Sequence, residues 1–165
     1  VGKTLYLQMK KHIQSIYIDT SVVGGYFEEI FSEDTIKFFK RVRKGELILI
    51  VSSLLEDELV EAPERVRNLI EHLPESFIEK VNQTNEATQL AEQYVKEKVI
   101  GKTSLADCLH IAIATISNAD VLVSWNFKHI VNIKRINGYN SVNLKYGYKT
   151  LDIRTPKEAL NYEEE

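Results

Sequence analysis

The chain has 165 residues, of which 44% are hydrophobic and 27% are charged, a composition typical of a globular domain and not of a disordered chain. The net charge of -3 argues against strong nonspecific attraction to nucleic acid, and the apolar runs are too short to cross a bilayer. The single cysteine, Cys108, excludes an intramolecular disulfide and a multi-cysteine zinc site, so we expect a cytoplasmic protein.

The first part of the chain predicts two buried strands separated by a helix. Residues 15–19 are β-branched and aromatic, and residues 47–51 form a continuous apolar run, as in parallel strands covered on both faces. Between them we expect a turn at Gly24-Gly25, followed by a helix with Ser32 as its N-cap. Gly45 stands where the C-terminal cap of this helix belongs.

The rest of the chain continues to alternate between helices and strands. Ser53 and Glu56 match a capping box, which predicts a helix from Ser53. The further elements are helices over residues 63–73, 85–99 and 104–118, strands over 77–81, 120–124 and 150–154, a short helix from 127, a polar loop over 137–148 and a short helix after Pro156.

This alternation predicts an α/β fold, a three-layer α/β/α sandwich with a mostly parallel central sheet. We expect a single domain over residues 15–160. Residues 1–14 are expected to be an N-terminal extension or lead-in, and residues 161–165 an acidic tail.

Four oxygen-bearing side chains stand where a strand runs out or where an apolar helix begins: Asp19, Glu58, Asp107 and Asn126. The carboxyl ends of parallel strands form the usual ligand crevice, and a divalent cation could neutralise several acids there. Local explanations stay open, because Asp19 and Asn126 also suit caps, Glu58 an exposed helix position and Asp107 a helix first turn. Ser21 is placed to hold the Asp19 carboxylate or a nearby water.

The four histidines, His12, His72, His110 and His129, show no zinc-binding spacing. We expect His110 to lie in the core or at its rim. His129 has two interpretations, contact with a phosphate group or simple packing.

Three segments carry a resemblance to a known family: Ile18-Asp19-Thr20-Ser21-Val22, Leu105-Ala106-Asp107, and the run from Leu122 through Ser124-Trp125-Asn126 to His129. In order and spacing they resemble the PIN-domain family, most closely the VapC-type toxins and their uncharacterised relatives. The resemblance extends from Ile16 to about Leu160.

The resemblance implies a ribonuclease in which Asp19, Glu58 and Asp107 hold Mg²⁺ or Mn²⁺. Asn126 falls where the family commonly has a fourth acid, and it joins these three as a catalytic candidate, with Ser21 and Ser124 as supporting hydroxyls. It further implies an RNA substrate, a possible antitoxin partner, a homodimer and no membrane association.

Two functions stay open at this point. The first is a metal-dependent endoribonuclease that hydrolyses RNA phosphodiester bonds, with a role as the toxin of a toxin–antitoxin pair left open. The alternative is a PIN-like RNA- or protein-binding module with weak or no nuclease activity, which Asn126 and the acidic net charge suggest. A small phosphatase would need a second aspartate where Ser21 stands.

Overall fold

A computed structural model describes residues 13–160 of the chain. The strands are β1 (Gln14–Ile18), β2 (Leu47–Ser52), β3 (Ile78–Val81), β4 (Val121–Val123) and β5 (Asp152–Arg154). The helices are α1 (Thr20–Gly25), α2 (Glu29–Arg43), α3 (Ser53–Leu59), α4 (Glu64–Glu71), α5 (Asn85–Lys96), α6 (Leu105–Ile116), α7 (Ile133–Lys145) and α8 (Pro156–Leu160). The expected lead-in before residue 13 and the expected tail over 161–165 lie outside the described residues.

The five strands form one sheet in the order β3-β2-β1-β4-β5, and every neighbouring pair is parallel. The apolar strands β1, β2 and β4 are its three central strands, with Ile16 of β1 opposite Leu49 on one side and Val121 on the other. The predicted α/β fold with a parallel sheet is therefore confirmed. Its central strands all end at one edge, where the predicted polar residues follow them.

Alternate residues of each strand face opposite sides of the sheet and build two hydrophobic layers. On one side, Ile16, Ile18 and Val51 pack with buried residues of α1 to α4 and α8. On the other side, Tyr17 and Leu122 pack with α5, α6 and α7. Within residues 13–160, no helix combines the length and apolar character needed to cross a bilayer.

The predicted turn at Gly24-Gly25 and the predicted N-cap at Ser32 are wrong. Both glycines lie in α1, and α2 begins at Glu29 after a connection of only three residues. Ser32 therefore lies within α2, where its hydroxyl donates to the Glu29 carbonyl at 3.4 Å. Gly45 has a φ of +73°, which agrees with its expected role just past the end of α2.

The capping box predicted at Ser53 and Glu56 is also wrong, because β2 extends to Ser52 and Ser52 is the N-cap of α3. The Ser52 hydroxyl accepts a hydrogen bond from the Leu55 amide at 3.1 Å. The Ser53 hydroxyl instead accepts from the amide of Gln83.

Most of the loop predicted over residues 137–148 belongs to helix α7. Polar residues on its surface obscure a buried face that contains Tyr139, Val142 and Asn143. Conversely, residues 127–130 form a hydrogen-bonded turn, and the predicted helix there is wrong.

The close approach of Gly25 to Trp125 gives a prediction for stability. A Cβ atom on Gly25 would lie 2.6 Å from Cδ1 of Trp125, a ring fixed by stacking on Phe31. Gly25→Ala should therefore destabilise the fold by about 1–3 kcal/mol in urea unfolding, as other overpacked sites do. The matched control is Gly24→Ala, whose new Cβ would be 3.6 Å from its nearest neighbour. Equal stability of the two variants would contradict the tight packing at Gly25.

Candidate functional site

Asp19 lies directly beyond β1, and it is only 4% exposed. Its two carboxylate oxygens accept separate hydrogen bonds, Oδ1 from the Ser21 hydroxyl and Oδ2 from the Ser124 hydroxyl, each at 2.6 Å. Asp19 is the N-cap residue of α1, but its side chain forms no capping hydrogen bond. The carboxylate is therefore oriented by the two serines and not by the helix that it precedes.

The two serines are themselves held by the segment that follows β4. The Ser21 hydroxyl accepts from the Trp125 amide, and the Ser124 hydroxyl accepts from the Asn126 amide, both at 2.9 Å. Both supporting hydroxyls that the sequence predicts are thus in contact with Asp19. Burial raises the pKa of Asp19, and the hydrogen bonds from Ser124 and Ser21 offset only part of that effect.

Asp107 lies in the first turn of α6, and Asn126 lies beside it. Asn126 donates from Nδ2 to Asp107 Oδ1 at 3.3 Å, while its Oδ1 accepts from the His129 amide at 3.0 Å. His129 Nδ1 lies 2.8 Å from the other oxygen of Asp107. Because an ionised carboxylate only accepts hydrogen bonds, Nδ1 carries the proton in this pair. Asn126 therefore caps the turn after β4 and contacts Asp107 at the same time.

Glu58, on α3, is paired with His110 of α6. His110 Nε2 lies 2.5 Å from Glu58 Oε1, and Nδ1 lies 2.7 Å from the Tyr17 hydroxyl. Partial burial alone would raise the pKa of Glu58, but the hydrogen bond and charge of His110, with help from Thr20, lower it. His110 is only 3% exposed, so the predicted core or rim position is correct.

The four predicted residues gather at the carboxyl edge of the central strands. Ser124 links Asp19 to Asn126, and Asn126 links them to Asp107. Glu58 pairs with His110, which lies one turn beyond Asp107 on α6 and close enough to Asp19 to lower its pKa electrostatically. The hydrogen-bonded chain thus contains Asp19, Asp107, Asn126, His129 and the two serines, and the Glu58–His110 pair lies near it.

The fit of this set to Mg²⁺ or Mn²⁺ depends on its donor chemistry. Carboxylate oxygens are the ligands that these ions prefer. The buried Thr20 hydroxyl is near enough to Glu58 to lower its pKa, but in the part of the chain that the structure describes it forms no hydrogen bond of normal geometry, so it is a further oxygen without a full partner. Within residues 13–160, however, no three His, Cys, Asp or Glu side chains converge closely enough to form a metal-holding group. The donor types fit the ion, and the proposed ligand set of Asp19, Glu58 and Asp107 remains a prediction.

Sequence reasoning missed the contacts of the two histidines and of Tyr17. The relevant signal for His110 is a polar residue inside an apolar helix, three positions after an acid and therefore on the same helix face. For His129, the signal is its position in the turn that Asn126 caps. The sequence gives no such signal for Tyr17, because an aromatic residue in a buried strand is usually just part of the hydrophobic core.

The burial of Asp19 predicts a pH-dependent effect of Asp19→Asn. Because the pKa of Asp19 is raised in the folded protein, the proton binds more tightly there than in the unfolded chain. This residue's contribution to the free energy of unfolding therefore falls as the pH rises above about 4. In chelator, urea unfolding should show Asp19→Asn gaining stability relative to the original protein from pH 4 to pH 7.

The exposed neighbour of Glu58 supplies a control, because Asp57→Asn removes an acid of the same type from the surface. The free energy of unfolding of Asp57→Asn should change with pH in the same way as that of the original protein from pH 4 to pH 7. Loss of stability in Asp19→Asn that increases toward pH 7 would show that the buried carboxylate stabilises the fold.

No protein-family model and no curated protein matches the chain. Among solved structures, it is similar to VapBC2 from Rickettsia felis bound to a promoter DNA fragment, with a TM-score of 0.55 and 18% identity over 86% of this chain and 98% of that one. It is also similar to the Sarcin-Ricin loop cleaving toxin VapC20 from Mycobacterium tuberculosis, with a TM-score of 0.52 and 11% identity over 68% of this chain and 91% of that one.

A third similar structure is FitAcB from Neisseria gonorrhoeae, with a TM-score of 0.52 and 13% identity over 86% of this chain and 97% of that one. At these identities the likeness is one of fold. These three neighbours are VapC/PIN-domain toxins, and this chain has their α/β fold.

Proposed function

We propose that this protein is a metal-dependent endoribonuclease that hydrolyses RNA phosphodiester bonds. One observation carries the proposal: Asp19, Asp107 and Asn126 belong to a single hydrogen-bonded chain at the carboxyl edge of a parallel sheet. Glu58 lies near this chain, because its partner His110 is close enough to Asp19 to lower the pKa of that carboxyl. A set of carboxylates at such an edge suits cation-assisted chemistry on a phosphate more than it suits structural stabilisation.

In this proposal, Asp19, Glu58 and Asp107 hold Mg²⁺ or Mn²⁺, and Asn126 contributes a neutral amide. The ion would lower the pKa of a water molecule and stabilise negative charge on the phosphate. Ser21 and Ser124 fix both oxygens of Asp19, so that this carboxylate keeps one orientation. His110 and His129 hold the outer acids, Glu58 and Asp107, in the same way.

The fold supports a more specific version in which the protein is the toxin of a toxin–antitoxin pair. Two structural neighbours, VapBC2 and FitAcB, are toxin–antitoxin complexes, and VapC20 is a toxin that cleaves an RNA loop. By analogy, we propose an antitoxin protein as a partner, a homodimer as the assembly and the cytoplasm as the compartment.

A second candidate is a PIN-like module that binds RNA or protein and has weak or no nuclease activity. Its support is that each acid already has a side-chain partner, and that Asn126 provides no charge where the family commonly has one. These internal hydrogen bonds let the acids stay in place without a cation.

Cleavage assays test the nuclease directly. Single-stranded and structured RNA should be cut in the presence of Mg²⁺ or Mn²⁺ and stay intact in excess chelator. Asp19→Asn and Asp107→Asn should each lower the rate by at least about 100-fold, since each removes a charged oxygen ligand. Asp57→Asn, which removes a nearby exposed acid, should keep the full rate. Undiminished cleavage by Asp19→Asn and Asp107→Asn would refute the nuclease proposal.

A measurement of metal binding distinguishes the nuclease from the binding module without an activity assay. In the nuclease, Mn²⁺ at 100 times its dissociation constant should raise the free energy of unfolding by about 2.7 kcal/mol. Asp107→Asn should abolish this gain, whereas Asp57→Asn should retain it. If calorimetry detects no binding of either ion at millimolar concentration while RNA or a protein still binds, the binding module is the correct function.

A further inference from the structure

Two exposed apolar residues are close in sequence to the acidic group. Phe127 directly follows Asn126 and is 51% exposed, while Leu105 stands two residues before Asp107 and is 38% exposed. Because Asn126 is hydrogen-bonded to Asp107, the backbone of Phe127 directly follows a residue of the proposed site. Large apolar groups in water next to a polar cleft are a common mark of a binding surface.

Phe127 does not reach its exposed position on a loose loop. Its ring lies 6.3 Å from that of Phe31 and 6.2 Å from that of Trp125, and these two rings stack on each other at 4.4 Å. The Trp125 indole is fixed in turn by a hydrogen bond to the Thr35 hydroxyl at 2.9 Å. Phe127 therefore packs on the Phe31–Trp125 stack, in which Trp125 is buried and Phe31 is partly buried, and this support reduces the entropy lost when a ligand binds.

Two exposed lysines belong to the backbone segments next to Phe127. Lys128 follows Phe127, and Lys102 lies in the short 3₁₀ turn Lys102–Ser104, whose Ser104 hydroxyl is 3.5 Å from His129 Nδ1. Both lysines are exposed, and in the chain from residue 13 to residue 160 neither has an ion-pair partner. Their positive charge is available to a phosphate backbone, which the acids of the site alone would repel.

We propose that Phe127 is a stacking platform for a base of single-stranded RNA, with Lys128 and Lys102 directed to the flanking phosphates. A single strand offers unpaired aromatic bases together with a negatively charged backbone, which is the combination that an exposed ring between cations fits. The inference deepens the proposed function and rests on it, because it assigns the position of the strand relative to Asp107. It also favours single-stranded over fully paired RNA, in which both faces of each base are already stacked.

The test measures RNA binding separately from RNA cleavage. Asp19→Asn, used to suppress cleavage, is titrated in Mg²⁺ against a fluorescein-labelled single-stranded 12-nucleotide RNA and against an abasic strand of equal length. Adding Phe127→Ala should weaken binding of the RNA by about 5- to 100-fold, the effect of losing one base stack. Phe127→Trp should restore binding, and Leu144→Ala, which truncates a 62% exposed residue of α7, should leave it unchanged.

A second substitution guards against a folding defect. Phe127→Leu keeps apolar volume over Phe31 and removes the π-face, so it should reproduce the loss seen with Phe127→Ala. The abasic strand should bind equally to all of these variants. A 2-aminopurine base in the RNA should be quenched by the protein with Phe127 and not by the leucine variant.

The outcomes distinguish the stacking platform from the nuclease. If the protein cleaves RNA but Phe127→Leu binds RNA as tightly as Phe127 does, the platform is wrong and the nuclease stands. If no cleavage occurs but binding depends on the ring, the platform stands and the nuclease fails. Equal affinity for the RNA and the abasic strand, or dependence on Phe127 only for an acidic amphipathic peptide, would overturn the proposal and identify a different kind of surface.

Discussion

The arrangement of the site depends on the burial of one carboxylate at the end of the central strand. Asp19 follows β1, which has a strand on each side, so little solvent reaches it and its charged form is disfavoured. The hydroxyls of Ser21 and Ser124 partly offset this loss of solvation by donating hydrogen bonds to the carboxylate. Since those hydroxyls accept from the amides of Trp125 and Asn126, the need to solvate Asp19 also fixes the segment after β4. The position of Asn126 beside Asp107 follows from that restraint.

The sequence was enough to predict the sheet because its central strands consist of continuous apolar residues between helical patterns. It was also enough to place Asp19 and Asn126 at one edge, since the carboxyl ends of parallel strands must meet. The partners of the acids could not be predicted in the same way. His110 meets both Tyr17 and Glu58 only because α6 packs over β1 at one particular height, and that height results from side-chain packing across the whole layer.

The errors have a common origin in tertiary contacts that override local preference. Residues 137–148 contain several asparagines and glycines, which favour a loop by propensity, yet most of them are helical. Asn143 is fully buried there because it accepts from the Tyr94 hydroxyl and donates to Thr115. Similarly, Ser53 matches the sequence pattern of a helix N-cap, but β2 extends to Ser52 and Ser52 becomes the cap. The Ser53 hydroxyl instead accepts a hydrogen bond from the Gln83 amide, in the connection after β3. Local sequence patterns report the intrinsic preference of such residues, but tertiary contacts decide which element they join.

The amide at Asn126 has a clear electrostatic consequence for the rest of the group. An aspartate at this position would replace the Nδ2 donor by a second carboxylate oxygen 3.3 Å from Asp107, and the two like charges would repel each other. With asparagine, Asp107 instead receives hydrogen bonds from Asn126 and His129, and this repulsion is avoided. An asparagine in place of an aspartate also leaves one negatively charged ligand fewer for any cation that binds. In the proposed nuclease, Asn126 therefore provides one negative charge fewer for the cation, but its hydrogen bond orients Asp107, whereas Asp19 is oriented by the neutral hydroxyls of Ser21 and Ser124.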